Sequence, residues 1–171
     1  MGTSTLEKTV DVTKMLEADH REAEDLFGKI KQSNGAARGS LVEELASALR
    51  LHMKVEETIV YPAIARQVDG GAAEVDEAKT EHAEARKALE DVEQLTPDGP
   101  GFDAALATLE AGISHHVIEE ENEVFPKFRE SVDTAELDEL GEKVAAAQSS
   151  SSSPTTIDVS LADDAPALRM K

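Results

Sequence analysis

Among the places where a glutamate follows a histidine by four residues, two lie in matching segments of the chain. They are His52 with Glu56 and His116 with Glu120. On an α-helix, residues four apart lie on the same face, so each pair points an imidazole and a carboxylate toward one place. These donors suit iron, manganese or zinc and disfavour copper(I), which prefers sulfur. One such pair alone is weak evidence, because it can be an ordinary contact on a helix surface.

Both pairs belong to an internal repeat, which makes a chance origin hard to sustain. Asp19-His20-Arg21-Glu22-Ala23 recurs as Glu81-His82-Ala83-Glu84-Ala85. The residues after each His-x-x-x-Glu run also recur, as Val60-Tyr61-Pro62 and Val124-Phe125-Pro126. We therefore predict one helical hairpin that is used twice and packs on itself about a pseudo-twofold axis.

The repeated histidines fall on apolar stripes in the middle of predicted helices. A carboxylate buried there without a partner is strongly destabilised and normally takes up a proton. Lysine and arginine are nearly absent from these stripes, so a pair of divalent or trivalent cations is the predicted source of compensating charge. The predicted ligands are His20, His52, Glu56, His82, His116 and Glu120.

Neighbouring polar and aromatic residues are weaker candidates. The repeat selects Glu120 from an acidic run and leaves Glu121 as the alternative ligand. His115 lies off the stripe, so it is predicted to be exposed or to support a ligand from outside. Tyr61, beside Pro62, is predicted to pack in the core.

Four apolar stripes with helical spacing predict the elements that position these residues. They run from Val10 to Ile30, Leu45 to Ala63, Val75 to Val92 and Phe102 to Phe128, with turn residues between them. Short connections imply antiparallel neighbours. The predicted fold class is all-α, an antiparallel up-down four-helix bundle with a short C-terminal fifth helix that begins near Asp133-Thr134.

The bundle is predicted to occupy residues 10–147. Residues 1–9 are predicted to be a flexible N-terminus, and the serine-rich segment 148–171 a disordered tail. Pro62 and Pro126 lie inside predicted helices, so we expect them to kink those helices or disturb their last turns.

Composition excludes several classes of function. The net charge of −19 repels nucleic acid and anionic membranes, so neither is an expected partner. The absence of cysteine excludes disulfides, thiolate metal sites, iron–sulfur clusters and cysteine nucleophiles. No apolar run is long enough to span a bilayer and no signal pattern opens the chain, so the expected location is the cytoplasm.

With these runs identified, the sequence resembles the hemerythrin-like family, also called the HHE cation-binding domain. The resemblance covers roughly Val10 to Phe128 and rests on the two short histidine runs and the two His-x-x-x-Glu-Glu runs with their Tyr-Pro or Phe-Pro continuations. It implies an antiparallel four-helix bundle around a non-haem pair of irons joined by a bridging oxygen species (Fe–O–Fe). The histidines would bind the irons and the two helical carboxylates would bridge them.

The third helix departs from the pattern of the family's oxygen carriers. Those proteins have five histidine ligands, two of them on this helix one turn apart, whereas Ala78 and Arg86 flank His82 here. Either the site has four histidines in a symmetric arrangement, or an acid such as Glu24 or Glu81 completes it. A further hypothesis pairs Glu24 with Arg86 beside the site.

The function implied by the resemblance is a di-iron protein that binds, senses or reacts with O2, NO or peroxide, or handles iron. A catalase-like enzyme that decomposes peroxide in oxidative stress is a variant of this hypothesis, and the sequence does not choose between binding and turnover. The alternative is a metal-poor or zinc-bound helical interaction module. Metal content and an absorption spectrum would separate the two.

Overall fold

The computed structural model describes residues 10–151, and every regular element in that range is helical. Two π-helical segments, Glu56–Val60 and Glu120–Val124, each join one α-helix to the next without a break. The α-helices are α1 (Val12–Gln32), α2 (Gly35–Val55), α3 (Tyr61–Gln67), α4 (Gly71–Glu93), α5 (Phe102–Glu119), α6 (Phe125–Ser131) and α7 (Thr134–Ser151).

Two helical hairpins form the bundle, as the repeat predicted. In the first half α1 packs against α2, and in the second half α4 packs against α5. The additional helix α7 lies along α1 and α2, so it covers mainly the first half. The predicted all-α bundle with a fifth helix is thus confirmed.

The core divides into two apolar clusters along the bundle. One includes Leu16 and Phe128, and the other includes Ala23 and Leu89. His20 lies between Leu16 and Ala23 on the same buried face of α1. The polar site is therefore held in the middle of the bundle, with packed apolar side chains on both sides.

Each π-helical segment begins at a buried glutamate and ends one residue before an aromatic–proline pair. In the first segment, the Tyr61 N–H donates a hydrogen bond to the carbonyl of Glu56, five residues earlier. The Phe125 N–H makes the same bond to Glu120. The predicted disturbance near Pro62 thus takes the form of one widened turn that lies before the proline.

Helix α7 passes very close to the backbone just before α1. A β-carbon on Gly141 would lie 1.9 Å from the carbonyl oxygen of Val10, so only glycine fits there. This helix extends to Ser151, which makes residues 148–151 helical and corrects the predicted start of the disordered tail. The predicted flexible segment 1–9 and the remaining tail, 152–171, lie outside the described residues.

No helix between residues 10 and 151 is long and apolar enough to cross a membrane.

Candidate metal centre

The structure brings all six predicted ligands together, each at most 8% exposed. Two groups of ligand atoms form, and Glu56 belongs to both. The first cluster contains His20, His52, Glu56 and Glu120. The second cluster contains Glu56, His82 and His116.

In the first cluster the two imidazoles meet the two carboxylates. The Nε2 atoms of His20 and His52 lie 3.1 Å apart. Glu56 Oε1 lies 3.1 Å from the Nε2 of His52, and Glu120 Oε2 lies 3.4 Å from that of His20. All four donor atoms thus surround one small volume.

The second cluster repeats this arrangement. The Nε2 atoms of His82 and His116 are again 3.1 Å apart. Glu56 Oε2 lies 3.2 Å from the Nε2 of His82, and Glu120 Oε2 lies 3.5 Å from that of His116. Each glutamate therefore contacts one histidine from each half, as a carboxylate that bridges two metals would.

The outer nitrogen of every ligand imidazole faces a carboxylate, which orients the rings. A carboxylate at Nδ1 accepts that N–H and leaves the Nε2 lone pair directed inward, the usual support for a metal-binding histidine. The pairs are His20–Glu121 and His82–Glu57 at 2.8 Å, His116–Glu81 at 2.7 Å and His52–Asp19 at 3.4 Å.

The donor set fits a pair of metal ions. With Nδ1 as the donor, two Nε2 lone pairs face each other and cannot hydrogen-bond. Glu56 Oε1 and Glu120 Oε2 are also buried without a hydrogen-bond partner. Metal–ligand bonds of about 2.0–2.2 Å place neighbouring ligand atoms about 3.0–3.5 Å apart, and the inner contacts here fall between 3.1 and 3.5 Å. A cation in each cluster would satisfy these atoms at once.

Without metal, protons on the histidines must balance the buried carboxylates. Burial lowers the pKa of His52, but Glu56 and Asp19 outweigh this and raise it to about 10. At His82, burial likewise lowers the pKa, but Glu56 and Glu57 outweigh it and the pKa is raised. Although burial alone would raise the pKa of Glu56, the neighbouring imidazoles hold it well below its usual range. Metal binding would therefore have to displace protons.

Two arginines extend the support outward, and they correct one sequence hypothesis. Arg21 bonds Glu121, and Arg86 bonds Glu57 at 2.7 Å. Glu24 pairs with Arg21 at 2.9 Å instead of with Arg86. The predicted Glu24–Arg86 ion pair is wrong, because the nearest acid to Arg86 comes from the π-helical segment of the other half.

Tyr61, predicted as simple core packing, is part of the site. Its hydroxyl donates to Glu120 Oε1 at 2.9 Å and lies 3.2 Å from the Nε2 of His82. The matching residue Phe125 stacks on His20 with ring centroids 6.1 Å apart. In an α-helix the fifth residue after Glu56 would point about 140° away from it. The π-helical turn removes that offset and brings Tyr61 to the site. The only hint of this role in the sequence is that the repeat has Tyr61 where its second copy has Phe125.

The remaining candidates lie outside the inner clusters. Glu81 and Glu121 contact the Nδ1 atoms of His116 and His20, so they support histidines instead of adding inner donors. His115 is exposed, as predicted, and lies 3.5 Å from Glu81 and 3.3 Å from Glu119.

A cavity of about 470 Å³ gives access to the centre. All four ligand histidines contribute to its wall, together with apolar side chains such as Ala23, Leu49 and Ile113. Gln148 and Ser151, near the end of α7, also line it. A small molecule therefore has room beside the clusters.

Comparisons with known proteins agree with this geometry. The family model of the hemerythrin HHE cation-binding domain matches residues 11–128. The chain is 27% identical to a solved HHE cation-binding domain-containing protein of Mycobacterium kansasii, with a TM-score of 0.74 over 83% of this chain and 87% of that one. It is also 23% identical, over 82% of its length, to a protein of Nostoc named a DNA nickase, of which it spans only 40%. The matched domain contains every residue of both clusters, and the chain belongs to the hemerythrin HHE cation-binding domain family.

Proposed function

We propose that the protein binds two iron ions, one in each cluster, and uses them to bind or react with O2, NO or peroxide. The observation that carries the proposal is the double convergence of Nε2 and carboxylate atoms with two buried oxygens left unpartnered. His20 and His52 would hold one iron and His82 and His116 the other. Glu56 and Glu120 would bridge them, because each contacts a histidine from both halves.

Tyr61 is proposed as a further donor to the second cluster. Its oxygen lies within 3.5 Å of Glu56, Glu120 and His82, so it is close enough to serve as one more metal ligand. Burial and the two carboxylates raise the pKa of this phenol well above its usual range. A bound cation reverses that balance and favours the phenolate. The proposed site would then have four histidines, two glutamates and a tyrosine.

Redox-active iron supplies the electron transfer when it is bound. The protein's own side chains prepare the site in three ways. The Nδ1 carboxylates keep each imidazole oriented with Nε2 inward. Apolar side chains above and below exclude bulk water. Before metal binds, the Tyr61 hydroxyl donates to Glu120 and so holds that carboxylate in place.

The test is metal content followed by spectroscopy. Protein expressed with added iron should contain about two irons per chain, with absorption from oxygen-bridged ferric iron. Adding peroxide then distinguishes turnover, seen as sustained oxygen release, from a single bleaching step. A content well below one metal per chain, or zinc in place of iron, would favour the helical interaction module.

Strand cleavage, the activity in the name of the Nostoc relative, is not proposed for this chain. The domain spans less than half of that protein. The net charge of −19 on the present chain also opposes contact with a phosphate backbone. A mobility-shift assay with plasmid DNA checks the expected lack of binding.

A further inference from the structure

The four supports of the ligand imidazoles are unequal. Three Nδ1–carboxylate distances are 2.7–2.8 Å, whereas that between His52 and Asp19 is 3.4 Å. His52 is also the most exposed of the four ligand histidines, at 8%. The first cluster therefore contains the most weakly supported ligand.

The length of the acidic side chain explains the long contact. Asp19 and Glu81 occupy matching places in the repeat, and Asp19 is one methylene shorter. Glu81 reaches His116 at 2.7 Å, while Asp19 stops short of His52. A carboxylate that is 26% exposed and only loosely held can also turn toward water.

Helix α7 holds this carboxylate in place. Gln148 Nε2 donates to Asp19 Oδ2 at 2.9 Å, and the same oxygen faces Nδ1 of His52. Because α7 packs on α1 and α2, the amide reaches Asp19 from a helix that is held against α1 itself. The contacts thus run in an unbroken chain from α7 to a ligand of the first cluster.

We propose that Gln148 is a positioning residue for the metal centre. By fixing Asp19 over Nδ1 of His52, it keeps that imidazole oriented and sets the metal affinity of the first cluster. The second cluster has no equivalent dependence on α7, because Glu81 is long enough to reach His116 by itself. This inference rests on the proposed pair of metal sites.

Zinc binding by the metal-free protein, residues 1–171, tests the inference without any catalytic activity. The His116→Ala background keeps both histidines of the first cluster but only one of the second. The His52→Ala background keeps both histidines of the second cluster but only one of the first. In the His116→Ala background, Gln148→Leu should weaken the calorimetric zinc affinity about 3- to 10-fold, near the lower limit for losing an outer support. In the His52→Ala background it should have no effect. Gln148→Lys keeps a donor and should retain the affinity.

A matched control and a second measurement keep the outcome decisive. Gln67 also donates its amide to a carboxylate of another helix, Glu136 at 3.2 Å, outside both clusters, so Gln67→Leu should leave zinc binding by either background unchanged. In zinc-loaded protein with Gln148→Leu as its only change, the Nδ1 proton of His52 should exchange faster with water by NMR. Equal weakening in both backgrounds, or no weakening at all, overturns the role of Gln148. Absence of zinc binding in the unsubstituted protein would instead refute the metal sites themselves.

Discussion

The first and second halves of the bundle share their inner donors and differ in what surrounds them. Each half supplies two histidines and one glutamate in matching positions. Around those atoms, the first half has Tyr61 where the second has Phe125, and Asp19 where the second has Glu81, and α7 covers mainly the first half. The six clustered side chains thus match between the halves, while the residues around them differ, so the two proposed metal positions would be chemically distinct.

The halves are also interlocked. Glu57 from the first half supports His82 in the second, and Glu121 from the second supports His20 in the first. Neither hairpin alone can orient all its ligand histidines. We therefore expect the two halves to lose their metals together when a shared residue is removed and separately when an unshared one is removed.

The largest effect is expected from Glu56, which contacts both clusters. Glu56→Ala should abolish stable binding at both positions, whereas His116→Ala should remove mainly the second. Elemental analysis of iron-loaded protein measures this. If Glu56→Ala lost only one metal, the carboxylate would not be shared.

Loss of metal should also lower stability in proportion, because the ions bind only the folded state. Saturation at about 100 times the dissociation constant stabilises by about 2.7 kcal/mol per site. Thermal melts with and without a chelator should therefore differ by about twice as much for the unsubstituted protein as for His116→Ala. Equal differences would contradict two separate sites.

Gly141→Ala tests how the fifth helix makes the first half different. The added methyl group would collide with the carbonyl of Val10, so we expect a loss of about 1–3 kcal/mol in the free energy of unfolding. Gly112 also lies inside a helix, but a β-carbon there would meet no neighbouring group within 4 Å. Gly112→Ala should therefore gain up to about 1 kcal/mol from helix propensity alone. Urea unfolding of both variants gives the comparison.

Exchanging the aromatic pair should alter which cluster carries a phenol. Tyr61→Phe removes a hydrogen bond to buried Glu120 and should cost about 1–2 kcal/mol in metal-free protein. It should also remove the phenolate-to-iron absorption of ferric protein. Phe125→Tyr provides the reciprocal variant on the first-cluster side, near His20. A spectrum unchanged by Tyr61→Phe would exclude tyrosine ligation.

The smallest effects are expected from the two arginines. Arg21 and Arg86 are 53% and 40% exposed, so each ion pair should contribute less than about 1 kcal/mol. Replacing either with alanine should produce a similarly small change in melting temperature, although the two occupy different places in the repeat. A large change from only one of them would show that the outer supports are not equivalent.

Much of the centre could be predicted from the sequence because its strongest signals are local. The spacing of His52 and Glu56 defines one helix face, and the repeat then selects Glu120 and identifies the hairpin twice. Helical periodicity likewise predicted the bundle and the start of the fifth helix near Thr134. These conclusions need only the geometry of a single helix.

The side chains that surround those residues could be identified only once the helices were packed together. The π-helical turns place Tyr61 beside His82, which α-helical spacing does not predict. Which acid reaches which imidazole depends on side-chain length and on the distance between helices, as the contacts of Asp19 and Gln148 illustrate. The six side chains that converge in the two clusters were already identifiable in the sequence, because periodicity is a property of one helix. The supports, and with them the difference between the two metal positions, depend on how separate helices pack.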